Sequence, residues 1–335
     1  MKQTPLISWI LISVGVILLF LLNLRLGSEW IPWKVFWESF TDENIYSHIL
    51  WDFRWPKALT ALCVGGALGV SGLLMQTLFG NPMAGPFVLG ISSGASLSVA
   101  LLVLGSGIGS GLLLSNFTVA AAAFIGAIGV CFIILGISYR LRSIMSVLIF
   151  GLMLGSFTGA IVANLSFFSN AENLQKYIFW GLGNLGGLTP TTLKILTISV
   201  GIGLGLGFTA IKGLNALILG EQYARSTGVN LKNIRLLSIA SCGILTGIST
   251  AFVGPIGFVG LAVPHICRMA LDTNNHQTLY PACFLVGGGL LLACDTLAQL
   301  PGLSYVLPIN GVTSLLGAPL VIWLILKQRK TWAND

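Results

Sequence analysis

The sequence has few charged residues: Asp, Glu, Lys and Arg together make up 8% of its 335 residues. Soluble domains average about 25% charged residues, so this chain cannot cover a water-facing surface with charge. Hydrophobic residues make up 55% of the chain, and the mean hydropathy is +0.91. The composition therefore excludes an ordinary soluble protein and indicates a polytopic membrane protein.

The sequence also lacks the motifs of common enzymes. It contains no GxxxxGK[ST] and no HExxH, and its six cysteines show no CxxC spacing. These cysteines are expected to be small buried hydrophobic residues rather than disulfides or metal ligands. A GxGxxG match at 181–186 has no strand before it and no acidic residue about 20 positions later, so it predicts a flexible outer loop. We therefore predict no catalytic residue, no metal and no cofactor.

Ten apolar segments predict an all-α protein with ten transmembrane helices in a single domain, 1–335. Only helices satisfy their own backbone groups in lipid when the chain forms no barrel. The 42 glycines are expected to let these helices pack closely. The first segment has no small-residue cleavage site after it and is expected to be retained. The predicted spans are 6–24, 58–79, 88–104, 117–137, 144–168, 193–211, 236–253, 256–271, 279–300 and 312–326.

The distribution of basic residues predicts the orientation. An even number of spans places both termini on one side. When the loops are assigned alternately, that side carries eleven of the 17 basic residues and three acidic ones, whereas the other side carries six of each. The positive-inside rule makes the first side, with both termini, cytoplasmic. It also explains the net charge of +7 without nucleic acid. The tryptophan-rich segment 25–57 is expected at the outer interface.

The segment 215–231 is the longest hydrophilic interruption in the last 120 or so residues. A segment this polar cannot lie in hydrocarbon, where each unpaired polar group costs several kcal/mol. Its basic flanks, within 212–235, predict that it faces the cytoplasm. We therefore expect a structured element in water that another protein contacts.

Three histidines and one acidic residue deserve separate interpretations. His48 and His276 are predicted to be solvated. His265 follows Pro264 inside the eighth span; a ligand or proton-relay role is open, and a residue that satisfies backbone freed by the proline is favoured. Asp295 is the single acid within a predicted span, roughly 22 Å along its helix and nearer the outer surface. It predicts either a functional group or a structural one bonded to a Ser, a Thr or a backbone amide.

Several stretches together resemble one family. They are Arg54-Trp55-Pro56-Lys57, Gly65-Gly66 with Ser71-Gly72 and Gln76, Asn81-Pro82-Met83-Ala84, Leu219-Gly220-Glu221-Gln222, and Gly254-Pro255-Ile256-Gly257-Phe258-Val259-Gly260-Leu261 followed by Pro264, His265 and Arg268. These stretches resemble the FecCD-type permease subunits of binding-protein-dependent ABC importers for ferric siderophores, haem and cobalamin. The resemblance covers nearly the whole chain.

The resemblance implies a bacterial inner-membrane permease that works with two cytoplasmic ATPase subunits, an external binding protein and a second permease copy. It implies an ATPase-coupling loop, binding-protein docking residues, an inner gate in the turn 141–144, and pathway lining by the fifth span and the segment after 307. Polar residues of the motifs and spans are further functional candidates. The residues are, for coupling, Leu219, Gly220, Glu221, Gln222, Ala224, Arg225 and Gly228; for docking, Arg54 and Lys57; for the gate, Arg142 and Ser143; and as polar candidates, His265, Arg268 and Asp295.

The chain departs from the family pattern at three outer positions, Gln299, Val306 and Asn310, which puts the contact with a binding protein in question. Without the resemblance, Arg54 and Lys57 would be interpreted as interfacial side chains that snorkel. The alternative function is an ion-coupled secondary transporter, which would use intramembrane charges such as Asp295 as relays. The sequence does not specify which chelate is carried.

Overall fold

The computed structural model describes residues 6–27, 30–39, 44–105, 115–141, 143–300 and 305–332, and every regular element in these ranges is helical. The first half begins with α1 (Leu6–Arg25), α2 (Trp33–Glu38), α3 (Ile45–His48), a π-helical stretch (Ile49–Arg54) and α4 (Trp55–Leu78). The next elements are a 3-10 turn (Pro86–Leu89), α5 (Ile91–Val103), α6 (Asn116–Arg140), α7 (Ile144–Phe168) and α8 (Ala171–Leu182). The second half contains α9 (Pro190–Thr209), α10 (Ile211–Ile218), α11 (Glu221–Ser226), α12 (Leu231–Val253), α13 (Val259–Leu271), α14 (His276–Ala298) and α15 (Ile309–Trp332).

Each of the ten predicted spans coincides with one helix: α1, α4, α5, α6, α7, α9, α12, α13, α14 or α15. The all-α prediction is confirmed. Seven of these helices are long and apolar enough to cross a membrane, and α5, α13 and the described part of α15 are shorter apolar helices. The total of ten spans and the side of the termini therefore remain predictions.

Two helices begin earlier than their apolar residues do, because asparagine side chains cap them. The Oδ1 of Asn230 accepts hydrogen bonds from the backbone N–H groups of Lys232 (3.1 Å) and Asn233 (3.3 Å), so α12 begins about a turn before the predicted span. Asn275 accepts from the N–H of Gln277 (3.0 Å) at the start of α14. Such N-caps satisfy backbone donors that a helix leaves unpaired. Polar first turns are consequently parts of these helices.

The bundle is built around α4, which is largely buried and packs against α14, α12 and α13. Glycines allow the close approach. A Cβ added at Gly65 would overlap the carbonyl of Gly287 on α14, and one at Gly72 would overlap the carbonyl of Gly260 on α13. Small residues at these crossings bring backbones into van der Waals contact, which stabilises helix pairs in lipid.

The alternating glycines of α9 divide into two faces. A Cβ at Gly203 would lie 2.7 Å from the Cδ2 of Leu245, whereas Gly201 and Gly205 have nothing within 4 Å. The hydroxyl of Ser241 on α12 donates to the carbonyl of Gly203 (2.7 Å). One face of α9 is therefore a packing surface, and the other is open.

The described parts of the segment 25–57 are folded onto the end of α1. The Arg25 guanidinium lies 4.2 Å from the ring centroid of Trp30 and 4.0 Å from that of Trp33, and it is buried. The Nη1 of Arg54 donates to the last two carbonyls of α1, at 3.0 and 2.6 Å. Cation–π contacts and capping of free carbonyls hold this segment against the bundle.

We predict that Gly65→Val destabilises the bundle, because the added atoms meet backbone atoms of α14 that cannot move aside. Overpacking of this kind costs about 1–3 kcal/mol, and occasionally more. The unfolding temperature of the purified protein in detergent measures the effect. Gly201→Val, which points into open space on α9, is the matched control. Equal unfolding temperatures for the two variants would contradict the packing.

Candidate functional site

The polar segment between α9 and α12 forms two short helices, α10 and α11. Gly220 connects them with φ of 105°, and Gly228 ends the second with φ of 79°. Both angles lie in the region that glycine adopts without strain. After α11, the N–H of Val229 bonds to the carbonyl of Ala224 (3.0 Å), which closes its last turn. The two motif glycines thus shape a compact helical pair.

One side of this pair is anchored and the other is exposed. Ala224 is fully buried, whereas Leu219 is 65% exposed. Ile218 and Tyr223 are also exposed large side chains. We call Ile218, Leu219 and Tyr223 the apolar patch. Exposed Glu221, Gln222 and Arg225 lie beside it, and an apolar patch rimmed by polar residues is typical of a protein interaction surface.

Arg235 of α12 connects the helical pair to the turn between α6 and α7. Its Nη2 lies 3.8 Å from Oε1 of Glu221, whose Oε2 lies 3.7 Å from Arg225. Its Nη1 donates to the carbonyl of Leu141 at 3.3 Å. Of the predicted gate residues, Ser143 immediately precedes α7 in extended conformation, and Arg142 lies outside the described residues.

A polar cluster joins α13 to α4. The Nδ1 of His265 lies 3.1 Å from the carbonyl of Leu261, one turn earlier. The same carbonyl accepts from the side-chain amide of Gln76 (3.2 Å), and Arg268 donates to the Oε1 of Gln76 (2.6 Å). His265 therefore bonds to a backbone carbonyl of its own helix, but the carbonyl that Pro264 leaves without a helical donor is that of Gly260, so the role of His265 stays a prediction. The partner of Arg268 was not evident from the sequence.

The prediction that His276 is solvated is wrong, because its side chain is almost completely buried. Its Nε2 lies 2.7 Å from the hydroxyl of Thr77, and its Nδ1 lies 2.9 Å from the Oδ1 of Asn215. The same Oδ1 accepts from the backbone N–H of His276 (2.8 Å). This histidine fastens α10, α4 and α14 together. Its polar sequence neighbours resemble a loop, although they form the start of α14.

Asp295 has a charged partner, Lys57, near the start of α4. Its Oδ1 lies 3.0 Å from the Nζ of Lys57, and the two side chains are 3% and 17% exposed. Its Oδ2 accepts from Asn23 (3.0 Å) and from Gln299 (2.9 Å). The expected partner, a Ser, a Thr or a backbone amide, was therefore wrong: a lysine and two side-chain amides satisfy the carboxylate.

Both predicted docking residues have intramolecular partners. Lys57 points inward to Asp295, and Arg54 caps α1. Beside the Lys57–Asp295 pair lies a cavity of about 350 Å³, lined in part by Leu185 and Leu307. The positive charges of Arg54 and Lys57 thus already interact with groups of the same chain, which leaves them less available to an external protein.

The GxGxxG stretch is an ordered turn, not the flexible loop that was expected. The N–H of Asn184 donates to the carbonyl of Val253 at the end of α12 (2.8 Å). The Oδ1 of Asn184 accepts from the N–H of Gly186 (2.9 Å), and Gly183 has φ of 77°. These bonds attach the end of α8 to the outer end of α12.

Among the residues that the structure describes, no group of three or more His, Cys, Asp and Glu side chains is close enough to hold a metal ion.

Comparison with known proteins identifies the class to which this arrangement belongs. A vitamin B12 import system permease protein, BtuC, of Serratia proteamaculans is 36% identical over 321 residues, covering 96% of this chain and 92% of BtuC. A hemin transport system permease protein, HmuU, of Yersinia pestis is 35% identical over 325 residues, covering 95% and 96%. A solved structure described as an inward-facing metal-chelate type ABC transporter has a TM-score of 0.84 at 27% identity, covering 96% of this chain and 99% of that one.

The sequence profile of the FecCD transport family matches residues 15–327, which includes α10–α11, the α13 cluster and the Lys57–Asp295 pair. The relatives named above match over nearly the same length. The chain is therefore a member of the FecCD transport family, a permease subunit of an ABC importer in a bacterial inner membrane.

Proposed function

We propose that this permease carries a bulky metal chelate of the haem, cobalamin or ferric siderophore class into the cytoplasm. The observation that carries the proposal is the exposed apolar patch on α10–α11, within a chain that belongs to an importer family. The named relatives transport vitamin B12 and hemin. The permease performs no chemistry itself, because ATP is hydrolysed on separate subunits.

In this proposal the segment 212–235 is the surface on which each ATPase docks. Leu219 supplies apolar contact area, and Glu221, Gln222 and Arg225 supply polar contacts around it. Gly220 and Gly228 set the two turns. The small side chain at Ala224 is fully buried and lets α11 lie close to the bundle. Burial of such a patch in a groove of the ATPase contributes hydrophobic free energy, and the charged rim contributes register.

The turn 141–144 is proposed as the inner gate. It joins α6 to α7, and α7 has one largely exposed apolar side that includes Ile149, Met153 and Phe157. A second copy of the chain, placed against such a face, would complete a pathway. Two copies would also supply the two docking surfaces that a pair of ATPases needs. Ser143 and Arg142 would then meet their counterparts at the cytoplasmic mouth.

At the outer end, the proposed partner is a substrate-binding protein that delivers the chelate. Arg54 and Lys57 remain the candidates for contact, and both are half-buried and bonded internally. A charge that already has a partner contributes less to steering an acidic surface. Gln299, where many family members carry arginine, also bonds to Asp295. We therefore propose that shape contributes more than charge to this contact.

No observation favours an ion-coupled transporter. A relay carboxylate needs to gain and lose its ion or proton during the cycle. Asp295 is held by Lys57, Asn23 and Gln299 at once, and Arg268 is bonded to a neutral amide. These polar groups join helices to one another, and the exposed α10–α11 pair would have no role in such a transporter.

The function is tested in vesicles that contain the permease and its ATPase subunits. The binding protein, carrying labelled haem, cobalamin or a ferric siderophore, is supplied on the opposite side of the membrane from the ATPases. We predict that uptake requires ATP and continues when the ion gradients are dissipated. Leu219→Asp is expected to abolish uptake, because it removes apolar contact from the docking surface, and Lys194→Gln on the predicted outer side is the control. Uptake that needs no ATPase and stops with the gradient would contradict the proposal.

The role of Lys57 is tested by comparing single and double variants. We predict that Lys57→Ala lowers the stability of the protein by about 3–5 kcal/mol, the cost of leaving a buried charge without its partner. Lys57→Met combined with Asp295→Leu is expected to recover most of this loss. The unfolding temperature and the affinity for the binding protein are both measured. A Lys57→Ala variant of unchanged stability that binds the binding protein more weakly would make Lys57 a docking residue.

A further inference from the structure

One guanidinium, carried by α12, contacts two other elements at the predicted cytoplasmic end. Arg235 belongs to the second turn of α12, lies 3.8 Å from Glu221 of α11 and donates to the carbonyl of Leu141 in the α6–α7 turn. Its side chain is 12% exposed. Partial burial limits the alternative conformations and the screening by water that make exposed ion pairs weak. These two contacts of Arg235 thus form a defined link between α11 and the α6–α7 turn; we call them the Arg235 link.

The two contacts of the Arg235 link, one with a carboxylate and one with a backbone carbonyl, require an arginine. A guanidinium is a planar fork with five N–H donors, so it can bind a carboxylate on one side and a carbonyl on another. A lysine ammonium carries charge at one point and cannot keep both contacts in this geometry. The second contact is with a backbone carbonyl, so a displacement of Arg235 acts directly on the main chain of the turn. α7 begins at Ile144, three residues beyond Leu141.

We propose that Arg235 transmits movement of α11 to the turn between α6 and α7, and so couples the state of the ATPase to the inner gate. The proposal rests on the function proposed above, in which an ATPase docks on α10–α11. When the docked subunit displaces α11, Glu221 draws Arg235 with it, and Arg235 displaces Leu141 and the start of α7. Arg235 is a positioning residue, because it touches neither the chelate nor ATP.

A second contact supports the same path. The ammonium of Lys232 lies 5.2 Å from the ring centroid of Tyr139, in the last turn of α6. The first two turns of α12 therefore hold the end of α6 and the turn that follows it. α12 itself is largely buried against α4, α6 and α9, so it provides a rigid support on which the arginine side chain can act.

The test follows the gate directly and needs no transported substrate. In the permease–ATPase complex, Ser143→Cys is labelled with a maleimide, with and without ATP and vanadate. The same complex without Ser143→Cys measures the background from the native cysteines. We expect ATP to change the labelling rate about fivefold or more in this complex, the lower end of typical coupling between sites. Adding Arg235→Gln is expected to bring the ratio to about one while the ATPases still co-purify.

Two further variants make the result decisive. Arg235→Lys, which keeps the charge beside Glu221, is expected to lose the ATP-dependent change as well, and it decides the matter if Arg235→Gln does not fold. Lys194→Gln controls for the loss of one positive charge. An unchanged ATP-dependent ratio in either Arg235 variant, or no ATP-dependent change with native Arg235, would overturn the inference. Failure of the ATPases to co-purify with native Arg235 would instead overturn the proposed function.

Discussion

The cost of an unpaired polar group in hydrocarbon is the constraint from which this structure follows. It makes the apolar segments helical, and it requires partners for polar side chains between them. Asp295 has Lys57 and two amides, and His276 has Thr77 and Asn215. Among the described residues, Ser238 Oγ is the one buried side-chain polar atom without a hydrogen-bond partner. The same cost accounts for the exposure of Glu221, Gln222 and Arg225 on α11, whereas Asn215 on α10 is bonded to His276.

This constraint means that ATP is bound and hydrolysed on subunits other than the membrane-embedded chain. A chain of this composition has no soluble domain in which to bind ATP, so its work must be done through contact with other subunits. In the proposed function, the exposed apolar patch on α10–α11 provides area for that contact, and buried α4, α12 and α14 provide a rigid frame. Contacts at helix ends, such as that of Arg235 with Leu141, can join the two without placing charge in lipid.

Much of the fold could be predicted from hydropathy, because apolar length and flanking charge report depth in a membrane. Every predicted span coincides with a helix, and 144–168 agrees with α7 at both ends. Hydropathy does not show which helices pack side by side or which of their residues are in contact. The pairing of Lys57 with Asp295, the burial of His276 and the contact of Arg235 with Glu221 join residues far apart in sequence. The sequence therefore delimits the candidate site as a polar segment, whose docking role stays a prediction, whereas its internal connections required the three-dimensional arrangement of helices.

The central claim is that α10–α11 faces the cytoplasm as the accessible working surface of a membrane-embedded bundle. The most direct measurement is the labelling of Gln222→Cys by a membrane-impermeant maleimide in intact cells and in inverted vesicles, with Asn173→Cys on α8 as the opposite-side reference. We expect Gln222→Cys to react in inverted vesicles but not in intact cells, and Asn173→Cys to do the reverse. Reaction of Gln222→Cys in intact cells would contradict the orientation and, with it, the docking of an ATPase on this segment.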